Sequence, residues 1–438
     1  MQTITGFSKL NKTEKINWIA SQINSNSQND FITIDRFWHK DQNEQKIFDD
    51  FSENTISNYY FPYGVAPNFS INNKVYTIPM VIEESSVVAA ASKAAKFWLS
   101  RGGFKSKVIS TTKSGQVHFL FDGDKEKLKN FFTVKKVKLI AATKSITKNM
   151  DKRGGGIKDI SLLDKTNTLE DYYQIDVKFE TCDAMGANFI NSVLECIAEN
   201  LKIQALEYTA FTNSEKDIEV IMSILSNYTP DCIVKTYVEC PIEDLGLIGG
   251  MEANEFAHKF ERAVQIAKVD VNRAVTHNKG IFNGIDAVVL ATGNDFRAIE
   301  ACGHAYAARD GQYRGLSSCS IDNGLFRFEL TIPLSLGTIG GLTSLHPMSK
   351  MSLELLDGPS ASELMKLVSV VGLAQNFGAL SSLVTTGIQK GHMKMHLLNI
   401  LNQLNATKEQ IELSKIYFAN NTVSFSSVRE FLQVGPLQ

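Results

Sequence analysis

The sequence predicts an α+β protein in which a ferredoxin-like βαββαβ unit interrupts a large mixed α/β body and a small helical unit closes the chain. Three observations carry this reading. With 438 residues, 43% of them apolar, the chain can bury a large core and divide into two or three domains. From about residue 112 the hydrophobic period switches in a fixed order: strand QVHFLF, helix DKEKLKNFFTVKKVKLIAATKSI, strands IKDISLL and YYQIDVKFET, helix ANFINSVLECIAENL, strand IEVIMSILS. After SASELMKLVSVVGLAQNFGALSSLV the remaining segments read as helices alone. The boundaries that follow are 1–111 and 229–377 for the body, 112–228 for the insert and 378–438 for the C-terminal unit.

Taken in order, Asn11 and Glu14 have the spacing of a capping box ahead of a first helix, KTEKINWIASQ. Residues 48–70 mix aromatics with Pro62, Gly64 and Pro67 and read as loop and short extended pieces. KVYTIPMVI alternates as a strand and runs into a helix whose small residues recur in EESSVVAAASKAAKFWL, so Glu83 and Glu84 lie at or before its first turn. In the insert, CDAMGANF sits at a strand-to-helix corner, where Asp183, Gly186 and Asn188 offer flexible backbone and free amides at a helix N-terminus, a fit place for a pyrophosphate. EANEFAHKFERAVQIAKVDVNRAV reads as one helix. The stretch RAVTHNKGIFNGIDAVVLATGNDFRAIE then places Lys279, Asn283 and Asp295 on two glycine-bounded corners, with Gly280 and Gly284 letting backbone approach a ligand. IDAVVLATG is a buried element between them, and GND opens a helix with Asp295 at its start. Gly337, Gly340 and Gly341 of GTIGG form a second corner that a ligand could approach.

Composition and spacing exclude several classes. A net charge of -2 provides no overall basic field for nucleic acid or anionic lipid, and the insert lacks the basic and aromatic signature of RNA-binding sheets. The six cysteines form no C-x-x-C, which suits a reducing cytosol and argues against a zinc ribbon or disulfide framework. The start lacks an apolar signal region, and no apolar run is expected to approach the roughly 18 residues that cross a bilayer. His392 and His396 have the spacing of a helical metal pair, but the Glu of H-E-x-x-H is missing, so no metal is expected. The expected setting is therefore cytoplasmic, with neither membrane nor nucleic acid as partner.

Taken singly, the polar residues also have bland readings: Lys279 as a solvated loop lysine, Asp295 as a helix cap, Glu84 as a complement to a helix dipole, the glycine strings as turns. Together with GIQKGHM, the order and spacing of DAMGAN, GTIGG and the 273–300 stretch resemble the soluble, bacterial-type class II of the hydroxymethylglutaryl-CoA (HMG-CoA) reductase family over nearly the whole chain. The resemblance implies that the body binds HMG-CoA, the insert binds a nicotinamide cofactor without a Rossmann fold, and the C-terminal unit is a flap over a site shared across a homodimer or higher homo-oligomer. It implies catalytic roles for Glu84, Lys279, Asp295 and His392, and substrate contacts for Ser86, Arg273 and Asn283. Lys279, held beside Glu84 and Asp295, would meet the negative oxygen of each hydride step, and His392 would protonate the leaving CoA thiolate. Cofactor contacts would come from Thr147, Lys148, Asp183, Met185, Gly186, Ala187, Asn188, Asn227, Gly337, Gly340 and Gly341. Relatives that prefer NAD carry an aspartate about seven residues before a GGG that here is Gly154–Gly156. Thr147 stands in that place, followed by Lys148, Lys152 and Arg153, so NADPH is expected over NADH. The implied reaction takes HMG-CoA and two NAD(P)H to mevalonate and CoA. The same chemistry run toward HMG-CoA, and a non-catalytic nucleotide-binding regulator, stay open as alternatives. One departure is the run TISNYY after Glu53 and Asn54, where the family has VIG.

Overall fold

The structure, a computed structural model, describes residues 3–22, 34–387, 397–419 and 421–434. The N-terminal arm carries α1 (Lys12–Gln22) and α2 (Gln42–Asp49). At the head of α1, Asn11 Oδ1 accepts from the Glu14 amide at 2.9 Å while Glu14 Oε2 accepts from the Asn11 amide at 2.8 Å, the reciprocal cap expected there. An antiparallel hairpin of β1 (Tyr63–Ile71) and β2 (Lys74–Val81) leads into α3 (Val87–Leu99), and β3 (Lys105–Thr111) ends the first pass through the body.

The insert follows as β4 (Lys113–Leu120), α4 (Lys125–Ala142), α5 (Lys144–Asp151), β5 (Gly156–Asp164), β6 (Tyr172–Glu180), α6 (Ala187–Leu206) and β7 (Glu219–Leu225). Its sheet has the order β5-β6-β4-β7 with every pair antiparallel, the arrangement expected of a βαββαβ unit. Tyr173, Ile175, Val177 and Phe179 alternate inward along β6 and meet Leu128 and Phe131 of α4 and Ile190, Leu194 and Ile197 of α6. The single helix expected over this stretch is divided at Thr143, whose hydroxyl donates back to the Ile140 carbonyl at 2.8 Å.

The body resumes with β8 (Cys232–Pro241), α7 (Ala253–Val269), α8 (Val271–Ala291), α9 (Phe296–Ala307), β9 (Ser317–Asp322) and β10 (Leu325–Pro333), then α10 (Leu342–Leu345), α11 (Pro347–Leu355) and α12 (Ala361–Val384). Strands from both passes form one antiparallel sheet, β3-β8-β10-β9, so the insert leaves and re-enters through neighbouring strands. The helix expected over 252–275 is two helices broken at Asp270, whose carboxylate accepts from the Arg273 amide at 2.6 Å and so caps α8. α12 starts at a Ser360–Glu363 capping box and packs on α8, α3 and the sheet. By length and composition it could cross a bilayer, contrary to expectation, but 67% of its most apolar stretch is buried inside this protein, and it is a core helix.

Helices at 397–403, Lys408–Tyr417 and Phe425–Val434 share a small separate core of Leu397, Leu401, Phe418 and Val428. α12 runs unbroken to Val384, past residue 378 where this unit was expected to begin. All six cysteines are free thiols.

Candidate active site

The site is organised by α8. Ala274, Asn278, Ile281 and Ile285 recur on its buried face, which leaves Arg273, Thr276, Gly280 and Asn283 along a second face at helical spacing. That face forms one wall of an open cleft of about 470 Å³; the start of α3, with Glu84 and Ser86, and the Gln375–Leu383 part of α12 form the others. Lys279 donates to Glu84 Oε2 at 2.5 Å and Asn283 Nδ2 donates to the same oxygen at 3.3 Å. Lys279 therefore stands near the middle of a helix, not on the glycine-bounded loop expected from the sequence. Gly280 and Gly284 are helical too, with different uses. A Cβ on Gly284 would lie 2.7 Å from the Val371 carbonyl oxygen of α12, whereas one on Gly280 would meet nothing within 4 Å, so Gly280 leaves room in the cleft.

Ser86 has a φ of 75°, a region that costs a non-glycine residue of order 1–3 kcal/mol, and its hydroxyl makes no cap bond to α3. A strained backbone that leaves a hydroxyl at a cleft wall is an arrangement for meeting a ligand. Among the described residues no carboxylate pairs with Arg273, whose guanidinium is half-buried and whose pKa burial lowers. An unpaired guanidinium in a cleft is a seat for a carboxylate. Behind it, His277 shares a 2.6 Å hydrogen bond between Nε2 and Ser317 Oγ, and Ser317 donates to Asn376 Oδ1 at 2.7 Å. Burial, helped by Arg273 and Lys268, pushes the His277 pKa down to about 3, so this imidazole is neutral and serves as a support, not an acid.

A second constellation lies beyond the C-terminal end of α8. Asn294 Oδ1 accepts from the Gly337 amide at 2.8 Å, and a Cβ on Gly337 would lie 2.4 Å from the Met185 nitrogen. The DAMGAN and GTIGG corners, far apart in sequence, thus touch, and Ala184 bridges Ile339. Gly186 has a φ of 91° at the N-terminus of α6. Gly340 and Gly341 also have positive φ and open space around them. Asn188 and Asn227 are exposed, and Asn227 lines a small cavity with Met185 and Ala187. The Asp183 carboxylate is engaged within the protein, accepting from the Ala361 amide at the start of α12 at 2.8 Å, so it ties the insert to the body.

Two expected site residues lie apart from the cleft within this chain. Asp295 is not beside Glu84 or Lys279: it caps α9 through the Arg297 and Ala298 amides and pairs with Arg297 at 3.2 Å. The helix alone separates Lys279 from Ala291 by about 18 Å at 1.5 Å per residue. Thr147 is buried on α5 and donates its hydroxyl to Asp151 at 2.9 Å, while Lys148, Lys152 and Arg153, like Asp151, are exposed. His392 and His396 lie outside the described residues. The described residues contain no group of three or more His, Cys, Asp or Glu side chains able to hold a metal.

Sequence reasoning missed Lys113, which is 4% exposed, as well as the buried pair His277 and Asn376. Lys113 sits in TTKSG, just ahead of the strand QVHFLF, and no signal in the sequence marks it as buried.

The hydroxymethylglutaryl-coenzyme A reductase family model matches residues 13–397. The chain belongs to that family. It is 33% identical over 432 residues to 3-hydroxy-3-methylglutaryl-coenzyme A reductase of Archaeoglobus fulgidus, covering 98% of this chain and 94% of that protein. Its fold is similar to that of the Streptococcus pneumoniae reductase, with a TM-score of 0.72 at 33% identity and 99% coverage of both chains. A class II reductase of Streptococcus pneumoniae bound to NADPH in open conformations matches with a TM-score of 0.71 at 34% identity, covering 88% of this chain and all of that one. The family resemblance read from DAMGAN, GTIGG and the 273–300 stretch is thereby shown, and the chain falls with the bacterial-type class II members.

Proposed function

We propose that the α8 cleft is the acyl half of a site that reduces HMG-CoA to mevalonate and CoA, and that Asp295 reaches this site from a second subunit. The activity follows from the family; the observation that carries the split site is the length of α8, whose last residue Ala291 lies about 18 Å along the axis from Lys279, with Asp295 just past the turn beyond it. A quartet of Glu84, Lys279, Asp295 and His392 can meet at one point when two chains contribute to it.

The nicotinamide cofactor supplies the hydrides, and the rest falls to the chain. Each step builds negative charge on one oxygen, and the Lys279 ammonium, aimed by Glu84 and Asn283, is placed to meet it. Arg273 and Ser86 hold the far carboxylate of the acyl group. His392 gives the departing thiolate its proton. The paired corners at Gly186 and Gly337 fit a pyrophosphate, since free helix amides and glycine backbone face the same seam.

The insert at 112–228 is accordingly the nicotinamide domain, the two body segments bind HMG-CoA, and the flap begins after Val384. Lys148, Lys152 and Arg153 favour the 2'-phosphate of NADPH and with it the reductive direction.

Intersubunit complementation tests the split. Lys279→Ala and Asp295→Asn are each expected to be inactive as purified homo-oligomers, the asparagine keeping the cap of α9. Co-expressed, they are expected to recover about a quarter of wild-type activity, because half of randomly formed dimers carry one intact site of two. Recovery of none, with mixed dimers shown to form, places both residues in the same chain's site and overturns the split.

A further inference from the structure

We propose that Lys113 is a positioning residue of the cofactor loop, holding the Ala184–Gly186 turn in the form that presents its amides to a pyrophosphate. The proposal rests on the reading of residues 183–188 as the pyrophosphate seat.

Lys113 opens β4, directly after the chain crosses from the body into the insert. Its side chain is buried, and no carboxylate forms an ion pair with it among the described residues. Its ammonium donates to Thr181 Oγ1 at 2.7 Å, to the Ala184 carbonyl at 2.8 Å and to the Met185 carbonyl at 3.0 Å, which uses all three protons. Thr181 donates in turn to the Ala184 carbonyl at 2.7 Å. An ammonium taken out of water without a carboxylate is costly. It is kept here where two consecutive carbonyls converge.

Peptide planarity gives that convergence a consequence. With the Ala184 and Met185 carbonyls turned toward Lys113, the amides that follow them point to the opposite side: that of Met185 toward the Gly337–Ile339 backbone, and that of Gly186 toward the start of α6. The turn is pressed onto this floor: a Cβ on Gly186 would lie 2.5 Å from Thr181 Cγ2. Immediately beyond come the first amides of α6, which no helical carbonyl reaches. Burial lowers the Lys113 pKa and nearby Glu180 opposes that shift; in its protonated form the ammonium adds to the helix's own partial charge in attracting an anion.

The test is Lys113→Met, which keeps the length of the side chain and removes the donors. The expected result is a rise in the KM and fluorescence-titrated Kd for NADPH of roughly tenfold to a hundredfold. The KM for HMG-CoA should stay within about twofold of wild type, and Lys113→Arg should recover part of the loss. An unchanged NADPH Kd in folded Lys113→Met, or an equal rise of both KM values, overturns the proposal. Should Lys113→Met not fold, Thr181→Val, which removes one partner and keeps the charge, carries the same readout with a smaller rise expected and an unchanged Kd overturning it. Asn188→Asp separates the two layers of the argument by putting a carboxylate into the seat. If it weakens NADPH while Lys113→Met does not, the Lys113 role alone falls. If Asn188→Asp leaves NADPH binding unchanged, the seat itself is elsewhere.

Discussion

The two ends of α8 solve different problems with different materials. Along its cleft face, Arg273, Lys279 and Asn283 project charge and donors from a continuous helix whose opposite face is locked in the core. Past its C-terminal end, the corner of Asn294, Gly337 and Met185 works through backbone, with glycines allowing main chains to touch. A reacting oxygen needs one strong charge held at one point. A phosphate needs several weaker donors spread over an arc. On the proposed reading the first demand falls to side chains of α8 and the second to a turn, so the two ends should respond differently to substitution.

The largest expected effect is at the side-chain end. Lys279 is 59% exposed on a helix, so Lys279→Ala removes little packing and gains helix propensity. It should lower kcat by roughly a hundredfold to a thousandfold, the range seen on removing a donor to a reacting oxygen, with a thermal midpoint close to wild type. A variant that keeps half of the wild-type kcat would end the assignment.

A smaller effect separates the ends by glycine. Gly337→Ala brings a Cβ 2.4 Å from the Met185 nitrogen and should cost about 1–3 kcal/mol of stability while raising the KM for NADPH. Gly280→Ala, with nothing within 4 Å, should stabilise α8 by up to about 1 kcal/mol and disturb HMG-CoA binding alone. Thermal midpoints that move in the same direction in both would break the contrast.

The smallest effect lies between the ends, in the pH dependence of stability. Burial, then the charge of Glu300 on α9 and a hydrogen bond with it, raise the Asp286 pKa from 3.8 to about 8. The folded chain thus holds a proton that the unfolded chain releases, and stability falls as pH rises from about 4 to about 8. His277 acts in the other direction: with a folded pKa of about 3 against 6.5 unfolded, it loses stability as pH falls through that window. The two slopes oppose each other between about pH 4 and 6.5. Asp286→Asn should therefore raise the thermal midpoint near pH 8 and expose a steeper decline below pH 6.5. An unchanged profile would mean that Asp286 carries no such proton.

The same division explains what could be read from the sequence. The insert was legible because its strands alternate and its helices repeat every three to four residues. The cap at Asp295 was legible because a cap is a local event, two amides and one carboxylate. Lys279 was misplaced onto a loop because glycine disfavours helices by about 1 kcal/mol. Here tertiary demands outweigh that preference: α12 must approach Gly284, and the cleft must stay open at Gly280. The burial of Thr147 was hidden for a different reason. Which way its hydroxyl points depends on the phase of α5, where it shares the buried face with Met150. The distance between Lys279 and Asp295 was hidden while the segment between them had no assigned form, since a strand or a loop could have folded them together.

The continuity of α12 has a mechanical meaning. Gln375, Asn376 and Ser382 line the cleft from the same rod that runs on to Val384, so the cleft wall and the lead into the C-terminal unit are one piece. The rod ends at Val384, and a φ of 80° at Gly387 turns the chain just beyond it. On the proposed reading, the cleft walls on α12 stay in place when the C-terminal unit is removed, so truncation after Val384 should abolish turnover while HMG-CoA binding survives.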